Sequence, residues 1–133
     1  KLVGIDIGKK HFFCIMDKDS GEVLLQPSLF NTKDGFDSLI QKLSSYSKDS
    51  ILIGMEDTGI IIFALLKYLL EKNFYVALIN PKTTDYTRKM QNGITKNDKL
   101  DTLTICDVLD TPVRKSSIVL QKSTASIFMN KSN

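Results

Sequence analysis

Close to its start the chain reads LVGIDIGKKHFFCIMD (residues 2–17), which is two β-rich runs separated by the polar turn GKK. Runs of this kind predict two strands joined by a short turn. Asp6 is the one acidic residue inside the first run, between Gly4 and Gly8, which leave room around the backbone. An unpaired carboxylate in a buried strand is energetically costly. The rest of the sequence should therefore contain a partner that stabilises Asp6.

The elements that follow change from strands to alternating helices and strands. The segment EVLLQPSLF (residues 22–30) predicts a third strand, with Pro27 near its end. Apolar residues then recur at helical spacing, and Asn31 or Thr32 can cap the start of that helix. Beyond it, the pattern predicts a strand over residues 49–57, a helix over residues 58–73, a strand over residues 74–80 and a helix from about Asn97 to Leu109.

This order of elements, β-β-β-α-β-α-β-α, predicts an α/β domain with a mixed five-stranded sheet and helices on both faces. If the strand order is 3-2-1-4-5, the first and fourth strands are neighbours. The length of 133 residues suits one domain, which we place at residues 1–110. Residues 111–133 should form a poorly ordered, loosely packed or swapped extension, because they show no convincing period. The extension is basic, since it contains no acidic residue and four basic ones, namely Arg114, Lys115, Lys122 and Lys131.

Composition and cysteine content exclude several classes of protein. The 42% hydrophobic and 25% charged residues are typical of soluble globular proteins. The longest apolar stretch, Gly59–Leu70, contains Lys67 and is too short to cross a bilayer. Cys14 and Cys106 match no zinc spacing, and His11 is the only histidine. We therefore expect two buried free thiols in a cytoplasmic protein, with no zinc and no membrane partner.

Four carboxylates stand where ends of predicted elements would meet. Asp6 lies on the first strand, Glu56 ends the fourth strand, and Asp98 and Asp101 share one face of the last helix because they are three residues apart. Clustered carboxylates repel one another unless a cation neutralises them, and Mg²⁺ prefers oxygen ligands. Two such ions can activate a water and stabilise the leaving oxygen of a phosphodiester. The combination therefore predicts a Mg²⁺ site, with Mn²⁺ as a substitute.

Each carboxylate also has a structural interpretation when it is considered alone. Asp6 could accept hydrogen bonds from backbone amides, and Glu56 or Asp57 could cap the helix that follows. Asp98 and Asp101 could be solvated first-turn acids, which the helix dipole favours. Only their combination in this order of elements favours the metal site.

Four short motifs resemble a known family. GIDIGKKHF, IGMEDTG, VALINP and TKNDKLD occur in the order and spacing of the amino-terminal domain of the DEDD transposases of insertion sequences, a family that includes the Piv-type DNA invertases. The resemblance extends over about Leu2 to Leu109 and implies a RuvC-like domain with the ribonuclease H-like fold. It implies that the four carboxylates form the catalytic, metal-binding tetrad of a magnesium-dependent transposase or recombinase that cleaves and transfers DNA strands.

The resemblance also implies partners and a further domain. Members carry a carboxy-terminal domain, assemble as multimers, and in some cases work with a structured bridge RNA, so we expect DNA, a homo-oligomer and a guide RNA as partners. The sequence departs from the family pattern at Ile60–Ile62, Asn97 and Thr102, and no resemblance is seen beyond Thr111. We therefore expect an isolated or truncated amino-terminal domain.

Basic residues around the tetrad are candidates for nucleic-acid binding. Positive charge can neutralise a phosphate backbone, and an aromatic ring can stack on a base. An exposed polar loop is the structural alternative, since lysines occur in most loops. The candidate residues are Lys9, Lys10, Lys82, Tyr86, Arg88, Lys89, Lys96 and Lys99.

Two other classes of function compete with an active transposase domain. The chain could be an inactive truncated fragment that binds nucleic acid or regulates a transposase multimer, so catalysis by this chain alone stays open. Alternatively, Asp6, Asp17 and Gly21 are placed as in the phosphate hairpin of actin-like and sugar-kinase phosphotransferases. That fold needs a second, duplicated half, for which the chain is too short.

Overall fold

The computed structural model describes residues 1–7, 10–25, 28–57, 62–84, 98–110 and 118–120, with the backbone alone at residues 10, 29, 98–101 and 118–120. Its strands are β1 (Leu2–Asp6), β2 (Lys10–Met16), β3 (Val23–Leu25), β4 (Ser28–Phe30), β5 (Leu52–Glu56), β6 (Tyr75–Ile79) and β7 (Ile118–Leu120). Its longer helices are α1 (Lys33–Leu43), α2 (Phe63–Glu71) and α3 (Asp98–Leu109).

The strands form one mixed sheet in the order β3-β2-β1-β5-β6-β7, and β4 also pairs with β2. Strand β2 is antiparallel to β1, whereas β1, β5 and β6 are parallel. This arrangement confirms the predicted order 3-2-1-4-5 for the five expected strands. Strands β3 and β4 both lie within the predicted third strand, residues 22–30, and both pair antiparallel with β2. Residues 26 and 27 lie outside the described residues.

Part of the basic extension belongs to the sheet. Residues 118–120 form β7, which pairs antiparallel with β6 so that Ile118 lies opposite Leu78 and Leu120 opposite Val76. We expected this extension to be loosely packed or swapped, but the apolar triplet Ile-Val-Leu instead pairs with the edge of β6 in the same chain. Residues 111–117 and 121–133, with Arg114, Lys115, Lys122 and Lys131, lie outside the described residues.

The helices cover both faces of the sheet, as predicted. On one face, α1 and α2 pack against alternate residues of the central strands, including Val3, Ile5, Ile53 and Met55. On the other face, α3 packs against the residues between them, in a cluster that includes Leu2, Cys14, Ala77, Ile79, Ile105, Cys106 and Leu109. Side chains of a strand alternate between faces, so each central strand contributes to both cores.

Two glycines allow α3 to approach the sheet closely. Gly4 and Gly54 are partners in the parallel pair β1–β5. A Cβ atom at Gly4 would collide with the backbone carbonyl of Thr102, and one at Gly54 would lie 2.8 Å from Cδ1 of Leu109. Because both positions lack a side chain, the backbone of α3 can rest directly on β1 and β5.

The structure contains the helix cap and the buried cysteines that the sequence predicts. Thr32 caps α1, with its hydroxyl accepting a hydrogen bond from the amide of Gly35 at 3.1 Å. Cys14 and Cys106 are buried free thiols, as expected. Within the described parts of the chain, every helix is too short or too polar to span a membrane.

Candidate active site

Asp6 and Glu56 are the last residues of two neighbouring parallel strands. The β1–β5 register pairs Ile5 with Met55, so the two acidic residues follow at the same level. Adjacent strands are about 4.8 Å apart. Both side chains are half-buried. The structure therefore brings these two predicted site residues together at one edge of the sheet.

The register also determines the face of the sheet on which these two residues lie. Gly4 and Gly54, each two residues earlier, face α3. Since side chains alternate along a strand, Asp6 and Glu56 lie on the same face as the glycines. The two positions therefore share the face of the sheet that α3 covers.

The direction of α3 follows from its contacts with β1. The Cys106 thiol donates to the backbone carbonyl of Leu2 at 3.9 Å, while the carbonyl of Thr102 lies against Gly4. Moving toward the amino end of α3 therefore corresponds to moving toward the carboxyl end of β1. The helix begins at Asp98, one turn before Thr102, so its first turn lies at the edge of the sheet where β1 ends.

Asp98 and Asp101 both belong to this first turn of α3, close to the start predicted at Asn97. Their side chains lie outside the described part of the structure. Among the side chains that are described, no group of three or more histidine, cysteine, aspartate or glutamate residues is placed to hold a metal ion. The described donors are thus two carboxylates side by side, which is the oxygen chemistry that a hard divalent cation prefers.

The turn after β6 places a positively charged side chain, Lys82, at the same edge of the sheet. Glu56 pairs with Ile79, and the amide of Asp57 donates to the carbonyl of Ile79 at 2.9 Å. Asn80 follows, and its side-chain oxygen accepts a hydrogen bond from the amide of Lys82 at 2.9 Å, at the start of a helical turn over residues 81–84. Lys82 is exposed in that turn. The turn follows β6, which is the neighbour of β5, the strand that ends at Glu56.

The other predicted nucleic-acid contacts are only partly described. Lys10 begins β2, two residues before Phe12, which is the partner of Asp6 in the hairpin. Lys99 lies in the first turn of α3. The remaining candidates, Lys9, Tyr86, Arg88, Lys89 and Lys96, lie outside the described residues.

Two aromatic residues near this edge were not among the residues predicted from the sequence. Phe12 lies directly opposite Asp6, and Phe30 in β4 lies opposite Lys10. Phe30 is 66% exposed. The strand register is the signal that identifies them, and it could have been followed from Asp6 once the pairing of β2 with β1 and β4 was known.

Asp17 has a different environment from Asp6. Its carboxylate lies 2.7 Å from Nζ of Lys1 and accepts hydrogen bonds from the amides of Asp19 and Ser20 at 2.9 and 3.2 Å. The Lys1 contact and these amides lower the pKa of Asp17 to about 2. Asp17 therefore stabilises the turn after β2, at the edge of the sheet opposite Asp6.

A protein-family model described as a transposase, of the DEDD type of IS110 elements, matches residues 3–127. The chain belongs to this transposase family. The match continues past Leu109, where the resemblance was expected to end, and it includes β7. The motif-based prediction of the family is therefore confirmed, and its expected carboxyl limit was too short. A search of curated proteins gives no match.

Two solved structures are similar to this transposase-family domain, and the first of them shares its architecture. The RuvC protein of T. thermophilus, solved with a Holliday junction substrate, superposes with a TM-score of 0.64 at 10% sequence identity, covering 90% of this chain and 98% of that chain. The Fowlpox virus resolvase, solved with Holliday junction DNA, gives a TM-score of 0.49 at 18% identity, with coverages of 80% and 94%. The first superposition confirms the predicted RuvC-like, ribonuclease H-like fold.

Proposed function

We propose that this transposase-family domain cleaves and transfers DNA strands with a divalent metal, Mg²⁺ or its substitute Mn²⁺, held by Asp6, Glu56, Asp98 and Asp101. The observation that carries the proposal is the placement of Asp6 and Glu56 as the last residues of neighbouring parallel strands on the face covered by α3. Membership of a transposase family and a RuvC-like fold support the same activity.

The direction of α3 supports the inclusion of the two helical carboxylates. The first turn of α3, which contains Asp98 and Asp101, lies at the edge where β1 ends. Asp6 and Glu56 would approach the metal from the sheet, and the helical pair would approach it from the opposite side. Two or more carboxylates held this close repel one another, so cation binding would relieve an unfavourable interaction.

The protein residues would perform three tasks in this reaction. The carboxylates would hold and orient the cation, whose role when bound is to activate the attacking water or hydroxyl and to stabilise the leaving oxygen of the phosphodiester. Lys82 would attract the phosphate backbone to the edge where Glu56 lies. Apolar packing of α3 on the sheet would hold the helical pair, Asp98 and Asp101, in a fixed position relative to Asp6 and Glu56.

The experiment that tests this proposal is cleavage of a branched DNA substrate by the purified chain with Mg²⁺ or Mn²⁺. We expect strand cleavage that Asp6→Asn and Glu56→Gln each abolish and that EDTA prevents. Asp49→Asn is the matched control, since it removes an exposed carboxylate from the turn before β5. It should leave the cleavage rate unchanged.

The same assay separates the proposal from its alternative. DNA binding without cleavage, in wild-type protein whose far-ultraviolet circular dichroism shows a folded chain, would indicate the inactive nucleic-acid-binding fragment instead. The phosphotransferase alternative is disfavoured by the turn role of Asp17 and by the family match. A guide RNA, a homo-oligomer and a cytoplasmic location stay predictions from the resemblance and the composition.

A further inference from the structure

Phe30 is the most exposed of the large apolar side chains in the described part of the chain. It is 66% exposed, whereas the other large apolar side chains that are exposed lie between 36% and 39%. Single exposed apolar residues are common on protein surfaces. Phe30 merits a functional interpretation because of where the strand register places it.

The register relates Phe30 to the candidate active site through two strand pairs. Asp6 lies opposite Phe12 in the β1–β2 pair, and Phe12 lies opposite Ser28 in the β2–β4 pair. Directly opposite residues share a face of the sheet. Ser28 and Phe30 are two residues apart and therefore share that face with Asp6. From strand spacing and rise, the Cα atoms of Asp6 and Phe30 are about 12 Å apart, which a few nucleotides of one strand would span.

A cavity of about 390 Å³ adjoins Phe30 where β4 meets the start of α1. Gly35 permits this approach, because a Cβ atom there would collide with the backbone carbonyl of Phe30. The cavity combines one aromatic wall with hydroxyl groups and a carboxylate. Its lining residues are Ser28, Phe30, Thr32, Asp34, Gly35 and Ser38.

The chemistry of this lining suits a nucleobase better than a phosphate. A phosphate would be repelled by the carboxylate of Asp34, whereas the same carboxylate can accept a hydrogen bond from an exocyclic amino group of a base. The hydroxyls of Ser28 and Ser38 can donate or accept. An aromatic side chain offers a stacking surface that every base can use.

We propose that Phe30 and the adjoining cavity bind an unpaired nucleobase of the DNA strand that passes the carboxylates. The inference rests on the proposed function for its choice of ligand, and on the register that relates Phe30 to Phe12 and Asp6 for its location. The cavity itself lies beside Phe30, where β4 meets the start of α1. The site would hold one nucleotide a short distance from the position of cleavage. Duplex DNA would not use it, because its bases are already stacked and paired.

The absence of tryptophan from the sequence makes a direct test possible. Phe30→Trp introduces a single tryptophan at the site, and Tyr75→Trp introduces one at an exposed aromatic position where β6 begins, at the opposite edge of the sheet. In EDTA, single-stranded DNA should quench the tryptophan emission of the first variant and leave that of the second unchanged. Equal responses of the two variants, or equal quenching by a fully abasic strand, would overturn the proposal.

Affinity measurements give a second test with a matched control. Phe30→Ala should bind single-stranded DNA about five- to a hundredfold more weakly than wild-type protein, because one base loses its stacking partner. Phe30→Tyr should restore the affinity, and Tyr75→Ala should leave it unchanged. A Phe30→Ala protein that binds single-stranded DNA as tightly as wild type would contradict the base site.

The outcomes distinguish this inference from the proposed function. If cleavage depends on Asp6 while Phe30→Ala binds normally, the base site is wrong and the proposed function stands. If Phe30→Ala weakens binding but no variant or metal gives cleavage, the base site stands and the catalytic proposal is wrong. If wild-type protein binds no DNA in any form, both are wrong.

Discussion

Gly4 of β1 and Gly54 of β5 are partners in the parallel register, and α3 packs against both of them. This relationship places the carbonyl of Thr102 directly on β1 and brings the first turn of α3 to the edge where Asp6 lies. The glycines thereby connect the packing of the fold to the geometry of the candidate site.

Gly4→Ala should destabilise the protein and disturb the site together. The added Cβ collides with the backbone of α3, which cannot move aside as a flexible side chain could, so we expect a loss of about 1–3 kcal/mol in the free energy of unfolding. Urea denaturation measures this loss. Ala64→Ser adds one heavy atom at an exposed position of α2 and should change the stability by no more than about 0.5 kcal/mol. Equal effects of the two substitutions on stability would show that α3 does not pack tightly against Gly4.

Much of the fold could be predicted from the sequence because its signals are local. Apolar, β-rich runs identified the central strands, and the helical spacing of Phe36, Leu39 and Leu43 identified α1. Of the two caps expected for that helix, Asn31 or Thr32, the structure shows Thr32. The short turn after Asp6 implied an antiparallel hairpin. From these elements the order of the sheet followed, and with it the proximity of Asp6 and Glu56.

The parts that could not be predicted depend on long-range pairing. Strand β7 forms because Ile118–Leu120 pairs with β6, which is distant in the sequence. No local pattern of residues specifies such a pairing. Phe30 was missed for the same reason, since its relation to Asp6 passes through two strand registers.

Asp17 should contribute to stability in a defined pH range. Its pKa is lowered to about 2 in the folded protein by Lys1 and by the amides of Ser20 and Asp19, against an ordinary value near 3.9. A group with a lowered folded pKa stabilises the protein above its unfolded pKa and loses that contribution as the pH falls through the folded pKa. The wild-type urea midpoint should therefore fall between about pH 4 and pH 2, and this fall should be smaller in Asp17→Asn. Asp49→Asn should retain the wild-type pH dependence.

Cys106 should be unreactive in the folded protein. Its hydrogen bond with the Cys14 thiol raises the pKa of the Cys106 thiol, and burial raises it further. The thiolate is the reactive form, and burial keeps both cysteines away from solvent. A thiol reagent such as 5,5′-dithiobis(2-nitrobenzoic acid) should therefore label neither cysteine at pH 8 without urea. Both cysteines should react rapidly once urea unfolds the chain. Rapid labelling of Cys106 in native protein, measured on the Cys14→Ala variant, would contradict the packing of α3 on β2.

Divalent metal should stabilise the folded protein through the paired carboxylates. A cation that binds only the folded state raises its stability, by about 2.7 kcal/mol at a concentration a hundredfold above the dissociation constant. Thermal unfolding of wild-type protein should therefore shift upward with Mg²⁺ or Mn²⁺ and return to its starting value in EDTA. Asp49→Asn should show the same shift, whereas Glu56→Gln should show little or none, because a carboxylate that neighbours Asp6 is lost. A full shift in Glu56→Gln would mean that the cation binds elsewhere, and the metal site proposed between β1, β5 and α3 would be wrong.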